Sequence, residues 1–189
     1  MTASESKEET ETETEIEETT EEVETDDEAS VSEEQMYGVP SATAFGQNVL
    51  FPDADSYLDL VSELKNDGFA MVIDLCGTDY LNHERTALPA SVKPARFEVV
   101  VNFISHARRE RIRVRVQVAD GGSIPTLFDL FPGTEAMERE AFDMFGITFD
   151  EHPDHSRILM PENWEGFPLR KDFDIGRIPV QFKDAPGQR

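Results

Sequence analysis

The stretch FEVVVNFISHARRERIRVRVQV, Phe97 to Val118, decides the fold. In its first part Phe97, Val99, Val101 and Phe103 alternate with Glu98, Val100, Asn102 and Ile104. In its last part Ile112, Val114, Val116 and Val118 alternate with Arg111, Arg113, Arg115 and Gln117. Successive strand side chains point to opposite faces, so two period-two runs flanking Ser105–Glu110 predict an antiparallel hairpin with one greasy face. The arginines of the second strand read as a solvated sheet face with cross-strand partners such as Glu98. A charged contact with another protein is the sharper alternative. Nucleic acid is disfavoured, because the chain is acidic overall and no aromatics interleave with those arginines.

Working outward, Phe69 to Cys76 is a mostly apolar run that reads as an interior strand, with Cys76 as a small buried hydrophobe. A helix precedes it, capped by Asp55 or Ser56, running to about Asn66 and stopped by Asp67-Gly68. Leu58, Val61, Leu64 and Lys65 give that helix a weak apolar stripe. Met36 to Pro52 mixes small, polar and apolar residues and reads as an entry segment with little structure. Tyr80 to Pro94, with Pro89 and Pro94, reads as a loop with room for a short strand. Beyond the hairpin, Asp120-Gly121-Gly122 is turn chemistry, and Thr126 to Phe131 is a short helical turn halted by Pro132-Gly133. Thr134 then caps a helix that breaks at Gly146, with Met137, Ala141, Met144 and Phe145 on its buried face and Glu138, Arg139, Glu140 and Asp143 elsewhere. The order of elements predicts an α+β domain over residues 37–150, with a small, mostly antiparallel sheet and helices on one face.

Charge separates the two ends from that domain. The chain has 189 residues and a formal net charge of -23. Residues 1–35 hold 16 acidic residues against Lys7 alone, a charge of -15, which leaves -8 for the rest. The tail, residues 1–36, is built around TETETEIEETTEEVETDDE, a near-repeat of Thr and Glu in which Ile16 and Val23 are the only larger apolar residues. Burial of so little apolar surface does not offset backbone ordering of about 1–2 kcal/mol per residue, so the tail is expected to be disordered. It reads as a solvating arm, or as a docking arm for a basic surface. No basic, apolar leader opens the chain, and no apolar run approaches the ~20 residues that span a bilayer. A single cysteine excludes an intramolecular disulfide and suits a reducing compartment.

The other end, residues 151–189, is a long irregular C-terminal extension. Pro153 stiffens a turn crowded by Asp150, Glu151, His152, Asp154 and His155, and Trp164, Phe167, Leu169 and Phe173 interleave with Arg170 and Lys171 without a period. An aromatic segment without a period has little means of burying itself and is expected to lie along a surface, its own or a partner's.

Few catalytic chemistries fit these residues. One cysteine does not ligate an iron–sulfur cluster, and neither G-x-G-x-x-G nor a phosphate-binding loop occurs. His152 and His155 with the nearby carboxylates are ligand types, and a free-standing metal-dependent enzyme using them is one alternative. However, they straddle Pro153 rather than sitting four apart on a helix. Glu140 and Asp143 stand three apart on one helix and could work as acid and base; an ion-pair network with Glu138 and Arg139 is the plainer reading.

The runs EREAFDMFGITF, HPDHSRILMPENWEG and PLRKDF, between Glu138 and Phe173, closely resemble the 30 kDa subunit family of the proton-pumping NADH:quinone oxidoreductase, respiratory complex I. The likeness extends loosely back to about Tyr57. Glu138, Arg139, Glu140, Asp143, His152, Arg157, Leu169, Arg170, Lys171 and Phe173 match the family pattern; Ser156, His155 and Phe167 depart from it. The resemblance implies a cofactor-free subunit of the hydrophilic arm, with flavin and iron–sulfur clusters in its partners. It also implies packing beside the cluster-bearing and quinone-site subunits, in a complex that moves electrons from NADH to quinone and translocates ions. It implies a peripheral place on the cytoplasmic side of the membrane, reached through partners. Together with Trp164 and Phe167, the matching residues are the expected partner interface. A related membrane-bound hydrogenase complex is the nearest alternative.

Overall fold

The structure, a computed structural model, describes residues 34–83, 85 and 88–174. The disorder expected of the acidic tail therefore falls outside the described residues, except that Glu34–Met36 forms a strand, β1.

The hairpin forms as its alternation requires. Strands β5 (Phe97–Ser105) and β6 (Glu110–Val118) pair antiparallel, with Phe97 opposite Val118, Val99 opposite Val116, Val101 opposite Val114 and Phe103 opposite Ile112. All eight side chains are buried and form the floor of the core. Around this pair the sheet runs β1-β2-β3-β6-β5-β4, with β2 at Val39–Ala44, β3 at Gln47–Leu50 and β4 at Met71–Asp79. Every pairing is antiparallel except β3 with β6. Helices α1 (Tyr57–Asn66) and α2 (Glu135–Phe145) contribute to one core on one face of this sheet. A two-stranded parallel ladder, β7 (Ser123–Pro125) with β8 (Thr148–Asp150), brackets α2.

Several expectations change. Met36–Pro52 is not an unstructured entry: β2 and β3 turn tightly at Phe45 and Gly46, both at positive φ, and β3 then lies parallel to β6. The Phe69–Cys76 run is not an interior strand. Strand β4 is an edge, its register shifts between Val72 and Asp74, and only one of its faces is covered. Met71, Ile73 and Cys76 are consequently exposed. The buried stripe of α1 is Tyr57, Leu60, Val61 and Leu64, one position round from the expected one. Lys65 is exposed, its ammonium reaching the Leu130 carbonyl at 2.6 Å and lying over the Phe131 ring. Neither Ser56 nor Thr134 caps through its side chain; each hydroxyl donates to a preceding carbonyl, of Asp53 and Phe131 respectively.

Helix α2 sits directly on β4 because Gly77 has no Cβ. A methyl group there would come within 2.8 Å of the Phe145 ring. Gly146 ends the helix in the left-handed region, φ +72°, where a side chain is strained. The end of α2 is also where residues 151–174 return to the domain.

Candidate interaction surface

The last four carbonyls of a helix have no partner within it. In α2 these belong to Phe142, Asp143, Met144 and Phe145, and each is satisfied from downstream. The Gly146 amide donates to Phe142 O at 2.8 Å, Arg157 Nη1 to Asp143 O at 3.3 Å, the Leu169 amide to Met144 O at 3.0 Å, and Arg170 Nε to Phe145 O at 2.6 Å. Three of the four donors lie in the C-terminal segment. Two are guanidinium groups, whose charge also suits the negative end of the helix dipole. The segment is thus a strap buckled to its own helix: it lies along the domain's own surface, one of the two places expected of an aperiodic run, and among its described residues His152 alone is buried. Backbone and guanidinium hydrogen bonds hold it there.

Buried carboxylates fasten the strap further. Asp143, expected at a partner interface, is fully buried. Its Oδ2 accepts the successive amides of Ile158, Leu159 and Met160 at 3.1, 2.8 and 2.8 Å, and its Oδ1 accepts Arg157 at 2.5 Å. Burial alone would raise its pKa, but the Met160 amide, Arg157 and the other two amides outweigh that and hold it below the ordinary aspartate value. Asp79, at the end of β4, does the same for the far end of the strap. It accepts the Lys171 amide at 2.9 Å and two nitrogens of Arg96 at 3.2 and 3.1 Å. Arg96 reaches on to Asp120 at 2.7 Å and Asp172 at 2.6 Å, and Asp120 also takes Arg170 at 3.2 Å.

Glu138 is the other fully buried acid of α2, and it too faces inward rather than toward a partner. It accepts the Thr126 hydroxyl, the Leu127 amide at 2.8 Å and the Thr134 hydroxyl at 3.2 Å. Here burial wins over those donors and raises the pKa. Beside it, His152 accepts the Asp154 amide at Nδ1 (3.1 Å), so Nε2 carries the proton and donates to Glu135 O at 3.2 Å. Both ring nitrogens are spent, which removes His152 from the metal-ligand reading. Among the described residues no group of three or more His, Cys, Asp or Glu side chains is placed to hold a metal. Nor do Glu140 and Asp143 form a catalytic pair, since one is exposed and the other buried. The expected ion-pair network forms with other partners than Glu138 and Glu140: Asp143 pairs with Arg157. Arg139 instead meets Glu135 at 3.6 Å, Asp154 at 3.3 Å and Ser156 at 2.8 Å.

The remaining expected residues are distributed along the strap. Phe167 lies under Arg157 and Arg170, their guanidinium carbons 5.5 and 4.7 Å from its centroid. Trp164 stacks on Phe173 at 6.3 Å, and its buried indole N–H finds no acceptor among the described residues. Outward stand Ile158, Leu159 and Leu169, 40, 56 and 50% exposed, with Glu140 and Lys171 also exposed. Sequence reasoning missed Ile158 and Leu159 as surface residues. The one signal was their place between Arg157 and Pro161, where neither strand nor helix could hide them.

The fold and strap define a small α+β protein whose polar chemistry is directed at bracing itself, leaving an apolar strip exposed. The chain belongs to the family described as the respiratory-chain NADH dehydrogenase 30 kDa subunit, whose model matches residues 51–178. An NADH-quinone oxidoreductase subunit from Roseiflexus sp. (strain RS-1) is 40% identical over 165 residues, covering 82% of this chain and 89% of the relative. A like-named protein from Sinorhizobium medicae is 38% identical over 146 residues, covering 75% and 68%. The chain spans 64% of the length of the Phenylobacterium zucineum relative. Among solved structures, Nqo5 of a trypsin-resistant fragment is 30% identical with a TM-score of 0.55, covering 62% of this chain and 89% of that one. A chain of an archaeal membrane-bound sulfane sulfur reductase shares the fold at TM-score 0.55 and 20% identity, over 80% and 90% of the two chains. Among the described residues no helix is long and apolar enough to cross a membrane.

Proposed function

We propose that this chain is a cofactor-free subunit of the hydrophilic arm of an NADH:quinone oxidoreductase. It scaffolds the cluster-bearing and quinone-site subunits while the assembled complex passes electrons from NADH to quinone and translocates ions. On this reading flavin and clusters sit in the partners, and the chain meets the cytoplasmic side of the membrane only through them. One observation carries the proposal: Ile158, Leu159 and Leu169 are exposed on a strap whose backbone is already fixed by Asp143, the Met144 carbonyl and Asp79. An apolar strip held rigid in advance loses little conformational entropy on docking, which favours a stable interface. Glu140 and Lys171, both exposed, supply the charged rim. The relatives named for a quinone reductase, at 38–40% identity, favour this over the hydrogenase alternative.

The test replaces Ile158, Leu159 and Leu169 together with serine. The isolated protein should keep its melting temperature, while intact complex on a native gel and NADH:quinone activity in membranes fall at least tenfold. Normal amounts of active complex would refute the interface. Arg170 is not suitable for this test, because its substitution would release the strap itself.

A further inference from the structure

The acidic arm, and strands β1–β3 through which it joins the fold, lie outside the family match at residues 51–178. They meet a feature that the proposed function does not use. The face of the sheet opposite the helices carries Arg111, Arg113 and Arg115, every second residue of β6. Arg115 is committed to the buried Glu98 at 2.7 Å, and Arg113 bonds Asn102 at 3.1 Å. Arg111, and Arg109 in the preceding turn, are exposed and pair with no carboxylate among the described residues. Beside them lies a hollow of about 510 Å³ between Gly46–Asn48 and Arg109–Ile112, next to Phe45, which is 85% exposed at the tip of the β2–β3 turn. Among nearby acids, Glu110 is held by Arg108 at 2.9 Å and Asp74 stands two strands away.

Strand register decides where the arm enters. Glu34 is opposite Ser41, Ser41 opposite Leu50, and Leu50 opposite Val114. The two antiparallel steps and one parallel step make β1 run in the same direction as β6. The chain preceding Glu34 therefore arrives from the end of the sheet that holds Arg113, Arg111, Arg109 and Phe45. It is three strand spacings from β6, about 14 Å. Residues 1–33 carry 15 acidic residues and one lysine, a formal charge of -14. They include Ile16 and Val23 as apolar side chains. A random coil of 33 residues would have an end-to-end distance of about 30 Å, so a patch about 14 Å away lies within the reach of a segment of that length.

We propose that this open sheet face, centred on Arg109, Arg111 and Phe45, is the docking surface of the chain's own acidic N-terminal arm. The attraction is between exposed charges, so it is strong at low salt and screened within about 3 Å at 1 M. Tethering supplies the effective concentration that scattered ion pairs alone would lack.

Cys76, the chain's single cysteine, is exposed on β4, in register with Val100 and Arg115 on the same face, and takes a nitroxide label. In the full-length chain at 20 mM salt, amide signals of residues 8–30 should be broadened by the label. The broadening should fall at least twofold at 1 M salt, and equally at 20 mM in the Arg109→Ser/Arg111→Ser variant. Those two side chains have no partners among the described residues, so their loss should leave the folded spectrum of residues 34–174 unchanged. Broadening that neither salt nor the variant alters reflects tethering alone and overturns the proposal. Broadening that appears only between isotope-labelled and separately spin-labelled molecules in a mixture places the arm on a second copy, and also overturns it.

Discussion

Asp143 and Glu138 show how two carboxylates on one helix, both buried, depend on pH in opposite ways. Asp143 is held below its ordinary pKa, so its stabilisation is complete above the unfolded value, about 3.9, and is lost as pH falls through the folded value. Glu138 is held above its ordinary pKa, so the folded state binds its proton more tightly. That stabilisation is complete below about 4.3 and is lost as pH rises through the folded value. Asp143→Asn should cost about 3 kcal/mol at pH 7, because Arg157 and three amides lose the charge they converge on. For a domain of this size that lowers Tm by roughly 6–12 °C. Its deficit against the parent should shrink on acidification below about pH 4. Glu138→Gln should do the reverse, gaining on the parent as pH climbs from about 4. Thermal melts of the three proteins from pH 3 to 8 check both, and parallel curves would refute the assignment. Neither role was legible in the sequence. A helical stripe identifies apolar neighbours, whereas Asp143's partners lie up to 17 residues downstream in a segment with no period, and Glu138's lie 4 to 12 residues upstream in the turns before α2.

At the level of elements, local pattern was read correctly where the pattern was itself local. The β5–β6 hairpin needs only alternation and a short turn, and α2 as an element needs only a stripe and Gly146, although Met137 and Phe145 of that stripe are half-buried while Glu138 and Asp143 are buried beside Ala141 and Met144. Strands β2 and β3 escaped notice because they are short, built of Val39, Pro40, Ser41 and similar residues, and completed by a parallel neighbour more than sixty residues later. Strand β4 reads as interior although it is an edge, because apolar composition says nothing of position in a sheet. The end of α2 is the most exacting of these elements. At Gly146 a Cβ would sit 2.6 Å from the Phe167 ring and 2.7 Å from Arg170 Nη2, at φ +72°. Gly146→Ala should therefore cost more than the roughly 1–2 kcal/mol of left-handed strain alone, and should lift the strap. Trypsin cleavage at Arg157 and Arg170 should quicken at least fivefold, while cleavage near Arg109 is unchanged. Equal protection at all three sites would count against the buckle.

For the whole molecule, the family was legible from an unusual run of residues, whereas the use the chain makes of that run was not. Arg157 and Arg170 read as charges offered to a neighbour, and the structure turns them onto α2 and Asp120. A chain ending at Asp150 would leave three α2 carbonyls without donors, and Asp143 buried without its arginine. It should show no cooperative melt, whereas a chain ending at Asp174 should melt within a few degrees of the full length. A cooperative transition in the shorter chain would mean that the strap is ornament to an independent domain.

The fastening of Asp79 by the Lys171 amide joins positions 92 residues apart, and this sets an order of events at the ribosome. At about 5–20 residues per second, on the order of ten seconds separates the emergence of the acid from that of its last donor. Asp143 waits only a second or so for Arg157. During that interval the nascent sheet holds an aspartate that cannot yet be closed over. The synthesis of residues 157–171 is therefore when the polypeptide commits to its shape, and a stall just before them would strand the product in a form open to proteases.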